Sequence, residues 1–504
     1  MLRIITAGGW GLAVPVSLDG RSLTLAAAVE VAEMGTPVHL SRSSLAKMNK
    51  FRSILEQKLR RGQVVYGVNT GFGSLSDKAI RLGYLKELQL NLIRSHAAGV
   101  GDPMPLEVVR AAMLIRVNSL LNGNSAVRTD IARMLVEMLN EGVTPSVPRF
   151  GSLGASGDLV PSAHMALAMV GEGRSYYRGK LMDSKTALAA SRLKPVVLQA
   201  KEGLSLINGT CFTSALGCLA TRRGKYLLDA GNTATALTAE VVGACSQSFD
   251  ERLIEVKLHT GQAQVARKVR GLLKGSLRVR SEPVPQDPYS IRCVPQVHGS
   301  VKDALDFSEK VTAAEINSVS DNPILLEDGT VLHGGNFHAQ PVAMALDLLS
   351  LALSYLGLIS LARISLLLSR TPLETKYMAS RPGLESGLMI LQYTATALVS
   401  DNAKQMYPLS AYPANVSSGI EDHASHGVNA GMKALNVARN VSRILAIELI
   451  CASNLLGSDE GGISEHTMKA CRKIRTVSPV LTGDRSQGDE IEQLAAVITM
   501  GKLP

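Results

Sequence analysis

The stretch Met344–Ala362, MALDLLSLALSYLGLISLA, is long enough to cross a bilayer, yet it carries Asp347, three serines and Tyr355 and runs straight into Arg363. A helix apolar on every side in a soluble protein sits at the centre of a bundle or at a subunit interface. The expected class is therefore mainly α, with long central helices. The chain around it agrees: 504 residues, 46% hydrophobic, 4% aromatic, one Trp and a mean hydropathy of +0.13. Few aromatics disfavour a β-sandwich or a base-stacking platform and suit Leu/Ala/Met-rich helices. Disorder and small-scaffold classes are excluded by the same length and composition.

Outward from this segment, apolar-periodic runs predict helices over Ala215–Leu237, Val311–Ser318, Ala339–Leu368, Gly387–Asp401 and Gly427–Ser453. Three irregular stretches interrupt them, Ser281–Val297, Ser320–Phe337 and Tyr407–Asp422, rich in Asn, Gln, Tyr and Arg. The first third is more broken. Leu23–Met34 is stopped by Gly35-Thr36-Pro37, Pro105–Leu121 begins with Pro, and Arg128–Glu141 closes on Gly142. We therefore expect a mixed, glycine-loop domain over 1–195 and a long-helix bundle with the C-terminal region over 196–504.

The 53 Lys+Arg against 43 Asp+Glu give a net charge of +10, which raises an anionic partner as a possibility. The basic clusters Lys47–Arg61 and Arg267–Arg280 lie on helical stretches with few aromatics and read as solvated faces. Neither nucleic acid nor membrane is expected as a partner. Six scattered cysteines without a C-x-x-C pair, and a Met1–Gly20 segment without an apolar signal-type run, point to the cytoplasm. His333 with His338, and His423 with His426, lack any H-E-x-x-H pattern and read as packing or capping residues, so no metal is expected. Both phosphate-cradling glycine motifs fail on spacing.

Gly151, Gly154 and Gly157 leave little side-chain bulk in GSLGASGDLVPSAH (151–164). A tight turn would explain them. The residues after Gly157 read as a helix with Asp158 near its N-cap and Pro161 in the first turn, which sets Ala155-Ser156-Gly157 at a positive helix end where developing negative charge is stabilised.

Ala155-Ser156-Gly157-Asp158 in this setting resembles the signature of the aromatic amino-acid ammonia-lyase family. The likeness continues in order through YGVNTGFG (66–73), NLIRSHAAGVG (91–101), KEGLSLINGT (201–210), QDPYSIRCVPQVHG (286–299), SDNP (320–323), GGNFHAQP (334–341) and EDH (421–423). It implies the fumarase/aspartase-like helical fold, a homotetramer with active sites built from more than one subunit, and a methylidene-imidazolone (MIO) electrophile. In the family the Gly157 nitrogen would attack the Ala155 carbonyl, and dehydration of Ser156 would leave an exocyclic methylene, so no external cofactor is implied. Substrate adds to the methylene, a base removes a β-proton and ammonia departs.

By the same resemblance, Tyr66 is the acid/base group, Asn208 bonds near the ring, Arg292 clamps the substrate carboxylate with Tyr289 and Gln286 beside it, and Phe337 lines the pocket. Tyr66, Tyr289 and Glu421 all stand as candidates for the base. His96 occupies the selectivity position, and Ser-His-Ala-Ala-Gly with Glu421 looks like the histidine-specific branch, implying L-histidine to trans-urocanate and ammonia. A carboxylate accepts from an imidazole N–H and suits a phenyl ring poorly. Tyrosine ammonia-lyase or tyrosine 2,3-aminomutase is the alternative enzyme, and a basic anion-binding helical protein the non-enzymatic one. Ile420, Gln340 and Asn122-Gly123-Asn124-Ser125 depart from the usual pattern.

Overall fold

The computed structural model describes residues 14–71, 78–282, 285–457 and 461–504. Phe72 and Gly73 of the YGVNTGFG segment, and most of the Met1–Gly20 segment, lie outside the described residues. The chain is mainly α and folds into two compact units, one comprising Met1–Leu219, Glu309–Leu346 and Pro408–Met432, the other Ala220–Ser308, Asp347–Tyr407 and Lys433–Pro504. Residue 195 falls inside the first unit, which is completed by chain returning from later in the sequence.

In the first unit the expected helix from Leu23 begins two residues later, and its glycine stop acts as read. Thr24 caps the helix Leu25–Met34 by accepting from the Ala27 N–H at 3.1 Å, and Gly35 ends it in the left-handed conformation. Helices Arg42–Arg60, Leu85–His96, Leu106–Leu120 and Thr129–Glu141 follow, the last closed by Gly142. Short strands tie the loops together: Val16–Leu18 pairs parallel with Val38–Leu40, and Val100–Pro103 pairs antiparallel with Pro148–Phe150. Arg174–Tyr177 lies between Thr144–Pro145 and Lys180–Asp183 in a three-stranded sheet.

Four long helices dominate: Cys211–Val242, Val294–Glu315, Gln340–Ser369 and Gly427–Leu456. The second starts well before the expected Val311. Pro295 sits in its first turn, where a missing N–H is harmless. Gly299, which a local reading takes for a loop, is a packing glycine: a Cβ there would stand 2.6 Å from the Gln262 backbone nitrogen. Gln340–Ser369 is long and apolar enough to cross a membrane by composition, yet 72% of its most apolar window is buried inside protein.

The second unit buries charge at its centre. Arg363 and Glu448 are both fully buried, joined by Nε to Oε1 at 2.6 Å and Nη2 to Oε2 at 2.9 Å. Thr238 and Ser360 hydroxyls donate to the same carboxylate at 2.9 and 2.6 Å, so both of its oxygens are satisfied. Removing one member leaves an uncompensated buried ion, at a cost of about 3–5 kcal/mol. Arg363→Ala should therefore lower the denaturant midpoint markedly. A wild-type midpoint would show that the pair contributes nothing.

Candidate active site

The tripeptide Ala155-Ser156-Gly157 lies in non-helical chain just before the helix Leu159–Met169, as the glycine pattern predicts. Both of its ends are tied down. The Leu153 and Gly154 carbonyls accept from His426 and Ser425 N–H groups at 3.0 and 3.1 Å, and the Asp158 N–H donates to the Gly209 carbonyl at 2.7 Å. Gly157 has φ 78°, and a Cβ there would lie 2.5 Å from the Gly209 oxygen, so only glycine fits this approach. Ala155 is 7% exposed. The half-buried Ser156 donates its hydroxyl to Glu421 Oε1 at 2.6 Å, across 265 positions of sequence. Small, constrained residues at both ends and a hydrogen-bonded serine between them fit the MIO group.

Asp158 occupies the N-cap position, but its side chain does not cap its own helix. It accepts instead from Thr213 N–H and Oγ1 at 2.7 and 2.8 Å, at the start of the helix Cys211–Val242. Burial pushes its carboxyl up to about 6 despite these bonds. Asp158 thus locks the tripeptide to the long helix rather than merely starting a short one.

The segments 201–210 and 320–323 meet beside it. Lys201 and Asp321, both buried, pair at 2.7 Å, and Asn208 Nδ2 donates to the Asn322 carbonyl at 2.9 Å. Arg116, fully buried, donates from Nη1 to the Asn208 carbonyl at 3.2 Å and so supports the same turn. The single arginine in the apolar run Ala111–Val117 was the readable signal for this role.

Tyr66 sits in a turn pinned by Asn69, which accepts from the Val65 N–H at 2.7 Å and donates to the Gln63 carbonyl at 3.0 Å. Its ring meets His333 edge-on at 5.7 Å between centroids. His96 ends the helix Leu85–His96, its Nδ1 2.9 Å from the Leu92 carbonyl. A carbonyl only accepts, so Nδ1 carries the proton and Nε2 is the acceptor. Phe337 is half-buried, one residue before His338, which stacks on His423 at 5.3 Å. Among the described residues, no group of three or more His, Cys, Asp or Glu is arranged to hold a metal ion.

Gln286, Tyr289 and Arg292 belong to the second unit. Arg292 Nη1 donates to Gln286 Oε1 at 2.6 Å, and its guanidinium lies over the Tyr289 ring at 4.6 Å. Asp287 anchors the loop, accepting from Arg280 at 2.6 Å and from the Cys245 N–H at 2.7 Å. Arg292 is half-buried, with Nε enclosed by protein and making no hydrogen bond.

The structure thus brings Ser156 to Glu421 and Arg292 to Gln286 and Tyr289, and places Tyr66, His96, Asn208 and Phe337 in the first unit. Of the departures, Asn122 and Asn124 have scaffold roles, donating to the Gly20 and Leu325 carbonyls at 2.9 and 3.0 Å. Gln340 donates to the Ser410 carbonyl at 3.4 Å, and Ile420 is largely exposed.

Residues 23–476 match the model of the aromatic amino acid lyase family. Histidine ammonia-lyases of Caldanaerobacter subterraneus subsp. tengcongensis and Geobacillus thermodenitrificans are 41% and 42% identical to the chain, over 97% and 95% of it and 97% and 96% of their own lengths. Among solved structures, tyrosine aminomutase from Streptomyces globisporus superposes with a TM-score of 0.92 at 34% identity, covering 97% of this chain and 98% of that one. Histidine ammonia-lyase from Trypanosoma cruzi gives 0.90 at 36%, covering 97% and 94%. The motifs, the constrained tripeptide and these near full-length likenesses agree: the chain belongs to the aromatic amino acid lyase family.

Proposed function

We infer that the protein is a histidine ammonia-lyase, a carbon–nitrogen lyase converting L-histidine to trans-urocanate and ammonia. The observation that carries this is Glu421, a carboxylate rather than an amide, 2.6 Å from the Ser156 hydroxyl. Beside the reactive tripeptide it supplies an acceptor for an imidazole N–H. His96 Nε2 supplies a second acceptor at the selectivity position. A MIO group formed from Ala155, Ser156 and Gly157 would supply the electrophile that makes the substrate amine a leaving group. The Arg292 fork, oriented by Gln286 and Tyr289, holds the carboxylate. One of Tyr66, Tyr289 and Glu421 takes the β-proton; the C–N bond breaks, ammonia leaves and the α,β double bond forms.

The likeness to tyrosine aminomutase, together with His96 and Gln340, favours tyrosine as the second reading. A panel of L-histidine, L-tyrosine and L-phenylalanine, monitored for ammonia and unsaturated acid, separates them. L-histidine should exceed L-tyrosine in kcat/KM by at least about 100-fold. Turnover of tyrosine alone, or a β-amino acid product, would overturn the assignment.

A homotetramer whose active sites draw residues from more than one chain completes the proposal. Met344, Leu348, Tyr355 and Leu358 lie exposed at helical spacing on Gln340–Ser369, an apolar stripe suited to covering by another copy. Five of the six free cysteines are buried, and burial pushes the Cys218 thiol up to about 12, in keeping with unreactive thiols in the cytoplasm.

A further inference from the structure

We propose that His164 is a positioning residue for substrate selectivity: it is the hydrogen-bond acceptor that fixes the Ser95–Gly99 turn, and with it the His96 ring. The inference rests on the reading of His96 as a substrate-facing residue.

His164 lies on Leu159–Met169, the helix directly after the tripeptide, and its Nε2 accepts from the Gly99 N–H at 3.0 Å. A backbone N–H only donates, so Nε2 is unprotonated and the ring proton sits on Nδ1. Burial lowers the pKa of His164 and favours that neutral form. The turn has closed on the ring as far as glycine permits. A Cβ at Gly99 would stand 3.0 Å from His164 Nε2, 3.2 Å from the Phe150 carbonyl oxygen and 3.2 Å from Pro148 Cβ. On the other side, a Cβ at Gly151 would fall 2.5 Å from Val160 Cγ1 and 3.3 Å from Gly99 Cα.

Three segments therefore interlock: the exit from the His96 helix, the strand Pro148–Phe150 leading into the glycine loop, and the helix carrying His164. His96 is the last residue of its helix, and its ring is held back toward Leu92. The three residues that follow run from the end of that helix to Gly99. The Gly99–His164 bond is the polar contact that holds their far end to the tripeptide's own helix.

The test is steady-state kinetics and intact mass on full-length His164→Leu, His164→Gln, His164→Asn and His96→Ala. His164→Leu should raise KM for L-histidine about tenfold, with kcat less affected and the chain still two waters lighter than encoded. Glutamine, whose amide oxygen reaches the place of Nε2, should recover most of the loss; asparagine, one methylene shorter, should not. If leucine prevents folding, the glutamine–asparagine contrast decides. Wild-type KM in His164→Leu, equal impairment in glutamine and asparagine variants, or loss of the two-water signature would overturn the proposal. An unchanged KM in His96→Ala would instead overturn the reading of His96 on which it rests.

Discussion

Ser156→Ala should give a folded chain whose ammonia release falls by at least about 10³-fold, equivalent to about 4 kcal/mol of barrier. Alanine has no β-hydroxyl to lose as water, so no exocyclic methylene can form and the amine of the substrate stays a poor leaving group. Stability should change little. The hydroxyl donates to Glu421 at 2.6 Å, and both residues are only half-buried, so water can replace the bond. Losing it costs about 0.5–1.5 kcal/mol. Intact mass separates the causes: wild type should be two waters lighter than its encoded chain, and the variant should not. Near-normal turnover by Ser156→Ala would refute the electrophile, and with it the assignment of Ala155 and Gly157.

Arg292→Lys should raise KM for L-histidine by about 10- to 100-fold, from the loss of about 1.5–3 kcal/mol in charge-assisted hydrogen bonding. The guanidinium here is doubly committed: Nη1 is fixed by Gln286 at 2.6 Å and the plane rests on Tyr289 at 4.6 Å. These two contacts hold the half-buried fork in a fixed orientation for a carboxylate. Lysine keeps the charge but has neither the fork nor the flat face that stacks on the ring. Because the contact is to the unreacting carboxylate, kcat should fall less than kcat/KM. Steady-state kinetics over a wide histidine range checks the split. Unchanged KM would remove Arg292 from the clamp.

Much of this was legible in local pattern. Gly35 and Gly142 closed their helices where expected, and the apolar run around Met344–Ala362 was a largely buried helix. The start of Val294–Glu315 was misread because Pro295 and Gly299 are loop signals by sequence. In the fold one occupies a first turn and the other a close helix contact. Asp158 was legible by position and not by partner. Its position as N-cap was correct, but the Thr213 N–H, 55 residues on, outcompeted its own helix for the carboxylate.

The family was legible in residue order alone: Ala155-Ser156-Gly157-Asp158 before a helix, with the other motifs following in family order. Those are covalent and local properties, and a chain displays them before it folds. Which groups meet was settled only by the tertiary structure. Ser156 finds Glu421 across 265 positions, and Gly99 finds His164 across 65. Arg363 finds Glu448 across 85. A hydrogen bond or buried ion pair depends on distances of a few tenths of an ångström, and those distances exist only after helices far apart in sequence have packed, a geometry that neither periodicity nor spacing encodes.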